Sequence, residues 1–396
     1  NRKNRFLFGW SFFASWITIE LAPFHLILQL LGTAFFARRG ALRTTPGKVG
    51  LVVSLASWAG LLAAVRQSFR SRDEIREALR DLTADIGDEA PGEVVVERGI
   101  TFARAGGRSL KVDVHRPAAP PAPGEKRPVL LQVHGGAWVL GFKDRQGQLL
   151  MKAMASRGWV CFNVDYRLSP RARAPEHLID CKRALAWIRE HADEYGVDPD
   201  FIVVTGGSAG GHLCALMALT QNDPAFQPGF EEADTSLQAA VPFYGVYDLT
   251  DREGHYGESN LMSFTDLLAR VVMEVGIDDD PDAWSAYSPY DRITDEAPPM
   301  FVIHGDRDVL VPVGGARSFV RRLREVSRSP VVYAELRGAQ HAFEVFPSFR
   351  TVQTVEYVER FLHHVHSRYM SRSQDREVVE PVPDDSDEEP RRAVEA

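Results

Sequence analysis

The stretch F-I-V-V-T-G-G-S-A-G-G, Phe201 to Gly211, runs from β-branched and apolar residues into a glycine-bracketed serine, with a small-residue, helix-compatible segment behind it. That order predicts a strand, a sharp turn and a helix, with the Ser208 hydroxyl projecting from the end of a sheet. Gly206 and Gly210 flank the turn, where any Cβ would collide with the neighbouring chain. A lone G-x-S-x-G match recurs by chance in long chains, so its weight comes from its surroundings.

Three further segments supply them. The apolar run Val129 to Val133 leads into His134, Gly135, Gly136, Ala137 and Trp138, a strand ending in a flexible glycine loop. Backbone N–H groups of Gly135 and Gly136, with that of Ala209, can converge on one point to stabilise a developing oxyanion. Met300 to His304 leads into Gly305, Asp306, Arg307 and Asp308, and Val331 to Leu336 leads into Gly338, Ala339, Gln340 and His341. The order Ser208, Asp308, His341 is one of the three known for serine hydrolases. Ser208 is the expected nucleophile, His341 the base that takes its proton, and Asp308 the group that fixes the imidazole. Asp306 competes with Asp308, but the G-x-x-D spacing favours Asp308 and leaves Asp306 as a turn former. His134 reads as a loop anchor, Tyr166 as a brace for that loop, and His212 and His304 as packing.

These residues carry a family resemblance. H-G-G-A-W at His134 to Trp138, D-Y-R-L-S-P at Asp165 to Pro170 followed by Pro175-Glu176-His177, G-G-S-A-G-G at Gly206 to Gly211, G-D-R-D at Gly305 to Asp308 and H-A-F at His341 to Phe343 together resemble the hormone-sensitive-lipase-like branch of the α/β-hydrolases. The chain is similar to lipase and esterase proteins of actinobacteria. The resemblance implies an α/β-hydrolase fold and a serine carboxylesterase or lipase acting on small to medium acyl esters; the sequence carries no phosphate-loop or dinucleotide fingerprint, so no cofactor is implied. The resemblance also allows an aryl-formamidase or related amidase. A non-catalytic, membrane-anchored interaction protein on the same fold is the alternative from another class. Gly207 stands where many members carry Asp, and Ala137 where many carry a third Gly.

The rest of the body alternates strands and helices. Val94 to Phe102 and Leu110 to His115 predict an antiparallel pair across Gly106-Gly107, and Pro117 to Pro128 is a surface connection. Strands near 129, 159, 201, 239, 300 and 331 alternate with helical patterns, one of which carries Leu178, Cys181, Leu185 and Ile188 as a single apolar stripe. The expectation is a mostly parallel sheet with helices on both faces. The insert from about 248 to 294 interrupts this rhythm and is expected, with a helix at Ser71 to Thr83, to form a cap. Trp138, Tyr256, Phe264 and Trp284, with Leu267, are candidates to meet substrate; a plain packing role is the alternative.

Composition fits an enzyme of this size: 396 residues, 44% hydrophobic and 25% charged, with net charge −8. Residues 1–72 hold ten Lys/Arg against one Glu and residues 375–396 three Arg against nine acids, leaving −11 on the body, which argues against nucleic acid as a partner. Cys161, Cys181 and Cys214 lack metal or disulfide spacing and read as reduced and buried. His363, His364 and His366 lack carboxylate or cysteine company, so no metal site is expected. No sequence feature sets an oligomeric state.

Three parts follow: a membrane-associated helical region at 1–72, a catalytic domain at 73–374 and a disordered acidic tail at 375–396. Phe6 to Phe36 and Val49 to Val65 are apolar runs bracketed by basic clusters, which places a membrane partner at residues 6–65 and the protein at the cell membrane. A two-helix hairpin or re-entrant anchor competes with an in-plane or lid-forming arm, favoured by Glu20, Pro23 and His25, and with a cleaved signal peptide.

Overall fold

The apolar runs form strands β1 (Val94–Ala105), β2 (Arg108–Pro117), β3 (Arg127–Val133), β4 (Val160–Val164), β5 (Val197–Gly207), β6 (Ala239–Phe243), β7 (Met300–Gly305) and β8 (Val331–Leu336). In the computed structural model, which describes residues 5–82, 91–256 and 264–379, these make one sheet in the order β1-β2-β4-β3-β5-β6-β7-β8. The β1–β2 and β2–β4 pairs are antiparallel and all others parallel. Gly106 and Gly107 close the first hairpin with φ of 55° and 73°, the left-handed conformation that a two-residue turn needs.

Helices are α1 (Arg5–Glu20), α2 (Ala22–Arg38), α3 (Thr45–Ala78), α4 (Gln148–Ser156), α5 (Glu176–Glu190), α6 (Ala192–Tyr195), α7 (Ala209–Leu219), α8 (Phe264–Leu268), α9 (Pro281–Ala286), α10 (Val313–Val326) and α11 (Phe349–Val379). Alternation along each central strand feeds two cores. Val129, Leu131, Val133, Ile202 and Val204 pack with the α5 stripe, α7, α10 and the insert. Leu130, Val203, Val241 and Phe301 face α4, α11 and the end of α3. The protein thus has the α/β-hydrolase architecture, with helices on both faces of a mostly parallel sheet. All three cysteines are free and buried.

Three expectations change. Ser71 to Thr83 does not form a separate cap helix. Most of it is the end of the 34-residue α3, which crosses the expected boundary at 72 and packs on α11 and β8. Ile75 and Leu79 lie in the core opposite to that of insert residues Leu268, Val272 and Trp284. The apolar pattern had broken at the charged run after Arg66, yet the helix continues because its buried stripe, Ser68, Ser71 and Ile75, keeps helical spacing. At the other end α11 runs to Val379, past the expected start of the tail, and residues 380–396 lie outside the described ones.

The third change concerns Glu20, which reads in the sequence as a misplaced charge in an apolar run. It is buried against the hydrolase body, ion-paired with Arg350 and accepting a hydrogen bond from Ser348 Oγ at 2.9 Å. Arg350 is equally buried and also donates from Nε to Ser71 Oγ at 3.1 Å. One carboxylate thus joins α1 to α3 and α11. Removing one partner of a buried pair strands the other charge away from water. Arg350→Met is therefore expected to cost about 3–5 kcal/mol, read as a lower urea midpoint; a midpoint equal to that of the parent would show that the Glu20 contact carries no stability.

Candidate active site

Strands β5, β7 and β8 end at the same edge of the sheet and bring Ser208, Asp308 and His341 together. Ser208 has φ 60° and ψ −121°, the strained conformation of a tight strand-to-helix turn. Its N–H donates to Phe243 O at 3.0 Å, and His212 N returns to its carbonyl at 2.9 Å. Crowding fixes the flanks: a Cβ on Gly206 would lie 2.6 Å from Val133 O, and one on Gly210 would run into the carbonyls of Val133 and His134.

The Ser208 hydroxyl lies 2.8 Å from His341 Nε2, and His341 Nδ1 lies 2.6 Å from Asp308 Oδ2. The other oxygen of Asp308 accepts from Leu310 N at 2.9 Å and Val311 N at 2.8 Å. Burial alone would raise the Asp308 pKa; the facing His341 charge and hydrogen bonds from His304 and His341 override it and hold the carboxyl well below the usual carboxylate range. Asp308 therefore carries its charge at neutral pH. Asp306 points elsewhere and accepts from Gly338 N at 2.7 Å.

The glycine loop after β3 curls over the same edge. Tyr166 donates its hydroxyl to His134 O at 3.0 Å and stacks on the His134 ring at 4.4 Å. Gly135 differs from expectation. Its N–H donates to Gln146 Oε1 at 2.6 Å and so is occupied within the loop. Gly136, at φ 122°, follows it in the loop, and Ala209, directly after Ser208, is the first residue of α7. Ala137 adopts φ 53°, in the left-handed region that favours glycine, so the loop holds this conformation with a side chain present.

Gly207 has a local explanation as well. A Cβ there would lie 2.6 Å from the Tyr244 hydroxyl and 2.9 Å from its ring. Tyr244 itself packs 4.7 Å from the His341 ring. Its ring fills the volume that a side chain at 207 would need.

Of the residues expected to meet substrate, Trp138 is buried beneath the loop, edge-on to His212 at 5.0 Å. Trp284 is a correction: it is wholly buried, and its indole N–H donates to Val275 O at 3.2 Å, so it packs the insert. Tyr256 is half-buried against the core, Leu267 is exposed, and Phe264 opens α8 with its side chain outside the described ones. His212 Nε2 donates to Tyr287 O, 2.8 Å away, and burial pushes its imidazole down to about 4. It is neutral at neutral pH.

His304 does more than the packing expected of it. Its Nε2 lies 2.9 Å from Val311 O and 3.3 Å from Asp308 Oδ2. Its place four residues before Asp308, at the end of β7, is the only sequence signal it gives. Gln146 and Tyr244 gave none, since each acts across the chain on a backbone position. Among the described residues no cluster of three or more His, Cys, Asp or Glu is arranged to hold a metal ion. His363 and His366 pack edge-on around Trp159 at 5.8 and 5.9 Å.

A model of the BD-FAE family matches residues 112–323. The probable carboxylic ester hydrolase LipM of Mycobacterium tuberculosis (strain ATCC 25618 / H37Rv) is 42% identical over 390 residues, covering 92% of this chain and 89% of that protein. Esterase LipQ of the same organism is 47% identical over 266 residues, 67% of this chain and 62% of LipQ. Among solved structures, a thermophilic esterase from Thermogutta terrifontis matches with TM-score 0.54 and 25% identity, over 74% of this chain and 95% of that one. With the family model spanning more than half of its length and LipM aligned along nearly all of it, this chain belongs to the α/β-hydrolase esterases and is a carboxylic ester hydrolase.

Proposed function

We propose that the chain is a membrane-associated serine carboxylesterase or lipase that hydrolyses small to medium acyl esters through Ser208, His341 and Asp308. The observation that carries this reading is the continuous line of short hydrogen bonds from Ser208 Oγ through His341 to Asp308.

In this mechanism His341 Nε2 removes the Ser208 proton as the oxygen attacks the acyl carbon, and Asp308 holds the imidazole tautomer and stabilises its cation. Charge that develops on the carbonyl oxygen meets the N–H groups of Gly136 and Ala209, each such donor being worth about 3 kcal/mol of barrier. The proton passes from His341 to the leaving alkoxide. Water then repeats the attack on the acyl-enzyme, with His341 as base again, and frees Ser208.

Membrane association is supported by the surface of the amino-terminal helices. An 18-residue window of α3 has mean hydropathy 1.8 with 6% of it buried, and α1 and α2 form an apolar pair bent by 84°. Seventeen residues of α2 reach about 25 Å, close to the roughly 30 Å of a bilayer core. Leu28 and Val52 are 69% and 66% exposed. Arg38, Arg39, Arg43 and Lys48 gather at the tip of the hairpin and Arg66, Arg70 and Arg72 at its base, as residues facing anionic head groups would.

With p-nitrophenyl butyrate, Asp308→Asn is expected to lower kcat by about ten-thousandfold, and Ser208→Ala to abolish both turnover and labelling by a fluorophosphonate. Labelling that persists in Ser208→Ala removes the proposed nucleophile, and faster hydrolysis of N-formylkynurenine than of any ester would favour the formamidase alternative.

Anchoring is tested separately. The parent chain is expected to float with vesicles containing anionic lipid, and the double variant Leu28→Glu, Val52→Glu to remain in the dense fraction while still hydrolysing the soluble ester. A parent chain that does not float rules out the membrane part of the reading.

A further inference from the structure

The turn that carries His341 is held from two sides. On the body side, Gln340 Oε1 accepts from Val309 N at 3.1 Å and from His341 N at 3.3 Å, tying the histidine turn to the loop of Asp308. On the other side stands α1, from the far end of the chain. Trp16 Nε1 donates to Ala342 O at 3.0 Å, and its ring packs on Phe346 at 4.6 Å. Gln340 Nε2 donates to Ser15 Oγ at 3.1 Å. Two neighbouring residues of α1 thus grip the chain immediately before and immediately after His341, and Glu20, one turn on, locks the helix down through Arg350 and Ser348.

The gripped backbone is one that needs holding. Ala342 has φ 54°, a left-handed conformation that an L-residue keeps only where its surroundings impose it. Its carbonyl is the group that Trp16 captures. If that peptide relaxed, the direction of the preceding residue would change with it, and His341 has little room for error: its ring must meet Ser208 at 2.8 Å on one nitrogen and Asp308 at 2.6 Å on the other.

We propose that Trp16 is a positioning residue for His341, so that the apolar arm is a working part of the catalytic apparatus in addition to any role as a tether. The proposal rests on the reading of His341 as the general base. Trp16 touches neither substrate nor the reacting atoms. It fixes the peptide that follows the histidine, and through it the angle at which the imidazole takes the Ser208 proton and returns it to the leaving group.

The test uses the full chain and p-nitrophenyl butyrate, with Trp16→Ala and Trp16→Phe made both in the parent and in His341→Ala. Misplacing a catalytic group by about 1 Å costs on the order of a hundredfold. Trp16→Ala is therefore expected to lower kcat by about ten- to a hundredfold, with KM changed by less than about threefold and fluorophosphonate labelling of Ser208 slowed in step. Trp16→Phe, which keeps the ring on Phe346 but loses the donated hydrogen bond, should fall between it and the parent. In His341→Ala there is no imidazole to aim, so Trp16→Ala should add less than about twofold. An unchanged kcat in Trp16→Ala, or the same fold-loss with and without His341, overturns the proposal. If Trp16→Ala fails to fold, as judged by its thermal melt, the same comparison with Trp16→Phe decides. Failure of the underlying reading looks different, because His341→Ala itself would then keep the parent kcat.

Discussion

A slip of one residue along a strand moves its end by about 3.3 Å, more than the whole 2.8 Å between His341 and Ser208. Strand register is therefore the constraint on which the site depends. Gly207 pairs with Phe243 across β5 and β6, Phe243 with Ile303 across β6 and β7, and Gly305 with Leu336 across β7 and β8, so that the three loops leave the same edge of the sheet in a fixed stagger. That register is over-determined. Each central strand buries residues of both parities, and a shift by one would send the Val203 set into the core built for the Val204 set. At the turn itself, Gly206 and Gly210 leave the chain no space for another arrangement.

The buried carboxylates Asp308 and Asp180 near this edge each face specific donors. Asp308 keeps its charge because two backbone N–H groups, His341 and His304 face it. Asp180, wholly buried, is forked by Arg167, which also pairs with Glu176 at the head of α5. His177 and His212 lie nearby without such an anion, and burial pushes their imidazoles down to about 3 and about 4. They are neutral fillers at neutral pH.

What the sequence made legible was local. A strand that ends in a glycine turn writes its register, its turn and its side chain into adjacent positions, so Phe201 to Gly211 could be read without a partner. The eight strands and the α5 stripe were readable for the same reason. What escaped were pairings between distant positions. Nothing near Gly135 announces that Gln146 will take its N–H, and nothing near Gly207 announces Tyr244. Glu20 is the extreme case: its awkwardness among apolar neighbours was visible, but Arg350, which explains it, lies 330 residues away. Trp284 was misleading because an aromatic in an insert looks alike whether it faces a ligand or the interior of the insert.

The unbroken course of α3 has one more consequence. From Val49 to Val65 its surface is apolar; nine residues later, about 14 Å along the axis, Glu74 accepts from Arg337 N at 3.0 Å, at the tip of the strand that bears the histidine turn. A continuous helix has no joint in which a tilt can be lost. The apolar half of this shaft is therefore held at a set attitude to the strand end at Arg337, so the contacts that seat α3 there also fix where its exposed flank points.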